Sequence, residues 1–131
     1  MVTVEDVARM AFELPEVSEG RHSGHVTWVV GGKAFAWERP FSKADVKRFG
    51  AEAVPTGPIV AVLVGDLGEK EAVLAAAPPG FFTIPHFNGY PAVLVQLERT
   101  TEAAVREALQ DGWLTCAPAA LADDYLRQRG R

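Results

Sequence analysis

The stretch HVTWVVGGKAFAWE, running from His25 to Glu38, decides the fold. Two runs rich in β-branched and aromatic residues flank Gly31-Gly32. A type I′ turn needs positive φ at both central positions, which glycine adopts freely, so the stretch predicts a tight antiparallel hairpin. Alternation along a strand then sets Val26, Trp28 and Val30 on one face of its first strand, and Phe35 and Trp37 on one face of its second.

Upstream, the spacing predicts a helix from Glu5 to Leu14. Thr3 suits its N-cap, Pro15 stops it, and Val4, Val7, Ala8, Ala11 and Phe12 form an apolar stripe toward a core. Downstream, SKADVKRFG reads as a short helix capped by Ser42 and ended by Gly50, with Val46 and Phe49 as its apolar edge and Lys43 and Lys47 turned together into solvent. IVAVLV is a continuous β-branched run of the kind found in central strands. Asp66 and Glu69 have capping-box spacing for a helix over Glu69 to Ala77, closed by Pro78-Pro79. FFTI and AVLVQL follow as strands. Two helices end the chain: Thr101 to Trp113, with Val105, Ala108, Leu109 and Trp113 inward, and Pro118 to about Gln128. The hairpin and strands, bracketed by helices, predict an α+β fold: a single domain over residues 1–131, with an antiparallel β-sheet backed by helices.

Composition narrows the class. Of 131 residues, 48% are hydrophobic and 23% charged, the usage of a globular domain that needs no staples. The single Cys116 excludes a disulfide framework and a cysteine-rich zinc site. The opening MVTVEDVARMAFELPE carries acidic residues where a signal peptide carries basic ones, and no apolar run approaches the ~18–20 residues that span a bilayer. A reducing cytoplasm, with no membrane partner, is the expected setting. The formal net charge of −4 argues against generic nucleic-acid binding, but it is unevenly spread. Lys33, Arg39, Lys43, Lys47 and Arg48, against Glu38 and Asp45, make a local +3 and leave −7 on the rest.

Four segments, GGKAFAWERP, DLGEKEAVLAAAP, FFTIPHFNGYPAVLVQL and ALQDGWLTCAPAALADDYL, resemble in order and over nearly the whole chain the MmcQ/YjbR-like family. The resemblance implies a compact fold related to the bacterial frataxin (CyaY) type, described for this family as a double-wing motif, and a DNA-binding role; on the residues themselves, neither an enzyme nor a cofactor is expected.

Two candidate surfaces follow. Lys33, Arg39, Lys43, Lys47 and Arg48 could meet phosphates, contacts that position a nucleic acid without reading its sequence. The bland reading of the same residues is a solvated face. The second surface is PHFNGYP, Pro85 to Pro91, where two prolines and an Asn-Gly turn stiffen a loop that presents His86, Phe87 and Tyr90. With the hairpin aromatics Trp28 and Trp37 it suggests a protein- or small-ligand-binding module, whose contacts would be His25, Trp37, His86, Asn88 and Tyr90. Its bland reading is a structural loop packed over the sheet end. His22, His25 and His86 lack the spacing of a metal site, and Glu5, Asp6 and Glu13 are too few for a metal-binding ridge. Cys116 has no local histidine, and neither a nucleophile elbow nor a P-loop is present. No catalytic and no metal residue is therefore assigned.

Overall fold

The computed structural model describes residues 1–129. Its elements run α1 (Val4–Phe12), β1 (Ser18–His22), β2 (His25–Val30), β3 (Lys33–Glu38), α2 (Lys43–Phe49), β4 (Ile59–Leu63), α3 (Leu67–Ala76), β5 (Phe81–Phe82), a 3-10 turn (Pro85–Phe87), β6 (Ala92–Gln96), α4 (Glu102–Cys116) and α5 (Ala119–Arg129). The strands form one antiparallel sheet in the order β1-β2-β3-β4-β6-β5, giving the α+β architecture read from the sequence. Among the described residues no helix is long and apolar enough to cross a membrane.

The helix starts are chemically specified. Thr3 and Asp6 form a reciprocal capping box at α1, and Ser42 and Asp45 form another at α2. Asp66 caps α3 by accepting from the Glu69 N–H, while the Glu69 carboxylate reaches one residue too far back for a box and accepts from the Gly65 N–H. In the central hairpin Gly31 and Gly32 have φ of +58° and +79°, as a type I′ turn requires.

The two faces of the sheet are covered differently. On one face α1 and α4 bury Trp28, Val30, Phe35, Val60, Val62, Val93 and Val95 together with Leu109 and Trp113. Gly112 lets α4 approach closely: a Cβ there would meet the Leu63 and Phe35 carbonyl oxygens at 3.1 and 3.2 Å. The Trp113 indole donates to the Pro15 carbonyl at 3.0 Å, tying α4 to the segment after α1. On the other face a smaller cluster, Ile59, Ala61, Ala92, Leu94, Ile84 and Phe87, sits under Phe41, Phe49 and Phe82.

Four details differ from the sequence expectation. β1 is an additional strand whose polar residues, SEGRH, carry no apolar alternation and are ordered by pairing with β2. Phe12 faces water rather than the core, 50% exposed, because Val7, Met10 and Ala11 fill the buried stripe. Val46 is likewise exposed, leaving Phe49 as the apolar contact of α2. Finally, Phe35 and Trp37 do not share a face. Trp28 pairs with Ala36 but Val29 with Ala34, so Phe35 is an extra residue in β3. This β-bulge sends both Phe35 and Ala36 toward the helices and turns Trp37 to the opposite side.

Candidate binding groove

The second face is packed over β4, β5 and β6 and left bare over β1, β2 and β3. There it forms a groove of about 560 Å³. Thr27 and Ala34 make a floor of small side chains, and Trp37, placed on this side by the bulge, forms its apolar end. Tyr90 stands as a wall, its ring centroid 6.4 Å from that of Trp37. His22, Ser23 and His25 border the groove at the β1–β2 turn, and Glu38, Arg39 and Pro40 border it where β3 ends. Glu38 is held there by accepting the Val26 N–H at 2.9 Å.

Arg39 is fixed by an inner acid. Its guanidinium donates to Asp45 at 3.0 Å and lies 5.5 Å from the Phe87 ring centroid. Asp45 is 3% exposed and also accepts the Ser42 backbone N–H at 2.9 Å. Burial pushes this carboxyl up, but the Ser42 and Arg39 hydrogen bonds outweigh it and hold Asp45 below the usual carboxylate range. Arg48 approaches the other oxygen at 3.9 Å, so one buried carboxylate answers two guanidinium groups.

The Tyr90 wall is fixed by a lysine. Lys70, on α3 and only 7% exposed, donates to the Phe87 carbonyl at 2.6 Å and to the Tyr90 carbonyl at 2.8 Å. It forms no ion pair among the described residues. Burial therefore lowers its ammonium from the ordinary lysine value. Phe87 packs edge-on against Tyr90 at 5.6 Å, completing a loop held by its own ring and by a charged tether from beneath. Sequence reasoning missed Lys70, although one signal was present. Lys70, Val73 and Leu74 share an i, i+3, i+4 face, and Val73 and Leu74 turn inward.

The structure gathers part of each expected surface. His25, Trp37 and Tyr90 meet in the groove, and Arg39 from the cationic set joins them. Asn88 lies instead in a separate hollow beside Lys70 and Thr83, and His86 is exposed with its ring 6.1 Å from Phe87. The five cations do not form one patch. Lys33 and Arg39 sit at opposite ends of β3, roughly 20 Å apart at the rise of a strand. Lys43, Lys47 and Arg48 remain together on α2, exposed. The other reactive groups have local structural tasks. Asp6 caps α1 and Glu13 pairs with Arg106. Cys116 is buried on the helix side with its Sγ 3.9 Å from the Ala34 carbonyl, and burial raises its thiol. Among the described residues no three His, Cys, Asp or Glu side chains converge on one point.

The YjbR family profile matches residues 12–115. The chain belongs to the YjbR family. Proteins of Mycobacterium bovis and of two strains of Mycobacterium tuberculosis, each described as uncharacterized, are 43% identical to it over 133 residues, covering 99% of this chain and 100% of theirs. No solved structure matches it significantly. The YjbR match takes in every strand of the sheet and every residue that borders the groove, and leaves most of α1 and all of α5 outside.

Proposed function

We propose that this YjbR protein is a non-catalytic binding protein that takes single-stranded nucleic acid in the groove over β1, β2 and β3. The observation carrying the proposal is the pairing of Trp37 and Tyr90 on an open sheet face, with Arg39 at the margin and α2 directly following it in the chain. Aromatic side chains on a sheet stack bases of any identity, and neighbouring cations follow the phosphates. Trp37 and Tyr90 take the stacking role, and Lys43, Lys47 and Arg48 take the backbone role. DNA is the partner that the family resemblance implies. A stacked single strand suits an acidic chain better than a duplex does, because its affinity depends less on phosphate contacts alone. The free thiol of Cys116 suits a reducing cytoplasm.

A specific observation supports a second reading, a small planar anionic ligand. The groove volume falls in the range of small-molecule pockets, and Arg39 is pre-set by Asp45 as a fixed donor. The fluorescence of the chain separates the two. Of the three tryptophans, Trp28 and Trp113 are 0% exposed, so quenching by an added ligand reports on Trp37. Titration with an oligothymidylate, a duplex of equal length and a mononucleotide should quench in that order, with affinity falling as salt rises. No quenching by the oligonucleotide at low salt overturns the nucleic-acid proposal. Equal, salt-insensitive quenching by the mononucleotide establishes the second reading in its place.

A further inference from the structure

β1 is an edge strand, and the turn joining it to β2 fixes which of its backbone groups are free. Ser23 and Gly24, with φ of +52° and +80°, form a two-residue turn with both residues in the left-handed region. In that geometry the flanking pair, His22 and His25, exchanges both hydrogen bonds. Alternation along the ladder then directs the N–H and C=O of Gly20 and Ser18 toward β2, and those of Glu19 and Arg21 outward. Outward groups on a bare edge are a template for another strand.

A second copy laid antiparallel on this edge is limited to registers that oppose outward residues to outward residues. A two-fold axis at Glu19 sets Glu19 against Glu19, and one at Arg21 sets Arg21 against Arg21. Like charges directly opposite destabilise a sheet. An axis at Gly20 instead sets Glu19 against Arg21 twice, joins the strands by four backbone hydrogen bonds, and leaves no side chain at the axis. A separate observation concerns the helix above. Arg9 and Glu13 turn toward Glu102 and Arg106 of α4. Ala8 lies on the opposite flank, bordering a hollow with Glu19 and Arg21. Phe12 is one turn beyond Ala8 on that flank and is half exposed. A large apolar side chain thus stands in water on the flank of α1 whose Ala8 borders the hollow with Glu19 and Arg21.

We propose that the chain forms a two-fold homodimer by pairing β1 with β1 of a second copy about Gly20, a contact that also covers Phe12. The sheet then continues through the interface. On the groove side, His22 comes to lie across from Ser18 of the partner subunit, so two binding grooves open onto one shared face.

Sedimentation of the full chain over a range of concentrations at low salt tests this, with far-UV circular dichroism to check folding. The wild type should show a monomer–dimer equilibrium. Arg21→Glu and Glu19→Arg should each weaken it about tenfold, since each opposes like charges twice. The double variant Glu19→Arg/Arg21→Glu should restore it, and Phe12→Ser should weaken it. A wild type that stays monomeric throughout overturns the proposal. So does a dimer indifferent to Arg21→Glu, or a double variant no tighter than the single ones. These readings are independent of whether the groove binds nucleic acid.

Discussion

The two faces of this sheet are made from the same strands yet are built for different purposes. The helix side is closed, its large side chains, Trp28, Phe35 and Trp113, removed from water. The other side is packed over β4, β5 and β6, then stops, leaving Trp37 and Tyr90 standing at the boundary. The difference teaches where to look for function. A residue such as Trp28 is explained by packing alone, whereas Trp37 packs only in part, against the edge of the smaller cluster, and leaves the rest of its ring to line the groove.

Substitutions can break this contrast, beginning with the closed face. Trp113→Ala should cost about 3–5 kcal/mol in urea unfolding, through lost packing and the lost hydrogen bond to Pro15. Lys70→Met should cost about 1–3 kcal/mol, because the Phe87 and Tyr90 carbonyls lose the ammonium and keep only the backbone N–H groups of Tyr90 and Ala92, and it should weaken groove binding by loosening Tyr90. Lys70 also carries a pH signature. Its ammonium is lowered in the folded chain, so below the ordinary lysine value of about 10.4 there is an alkaline window in which the unfolded chain holds more protons. Stability contributed by this residue rises with pH across that window, and the rise should vanish in Lys70→Met. Trp37→Ala should change stability by about 1 kcal/mol, much less than Trp113→Ala, while removing the fluorescence response and about 1–3 kcal/mol of stacking. The mildest change, Lys43→Gln with Lys47→Gln, should leave stability within about 0.5 kcal/mol and reduce the salt dependence of binding by one to two phosphate contacts, at a slope of about 0.7 for each. If Trp37→Ala destabilised the fold as much as Trp113→Ala, the two faces would be equivalent and the groove merely an incomplete core.

Most of the closed face was legible in the sequence because its signals are local. Glycine pairs, capping residues and apolar periodicity specify the hairpin, the helix starts and the inward residues Val105, Leu109 and Trp113. β1 was not legible, since SEGRH becomes a strand only by borrowing the hydrogen bonds of β2. The groove was half legible. His25, Trp37 and Tyr90 were picked out as chemistry on turns and strands, and they do meet. Arg39 belongs to the cations expected to meet phosphates, but its partner Asp45 is supplied by the capping box of the following helix, a tertiary contact with no sequence marker. Lys33 was grouped with it by proximity along the chain, although a strand carries residues six apart to opposite ends. The role of Lys70 is not legible locally, because nothing in its own helix announces two carbonyls arriving from the Pro85–Pro91 loop.

The bulge at Phe35 has a consequence for how this chain tolerates length changes. The extra residue is one that the strand can lose without turning Trp37 out of the groove. Deleting Phe35 would restore strict alternation and leave the hairpin turn intact, with Ala36 still opposite Trp28 and Trp37 still opposite Thr27 on the groove side, so the loss would fall on the core beneath α4. Gly112 brings α4 against the strands there, so the missing ring would leave a cavity beneath the helix. A single-codon deletion at the bulge would therefore empty part of the core while leaving Trp37 in the groove.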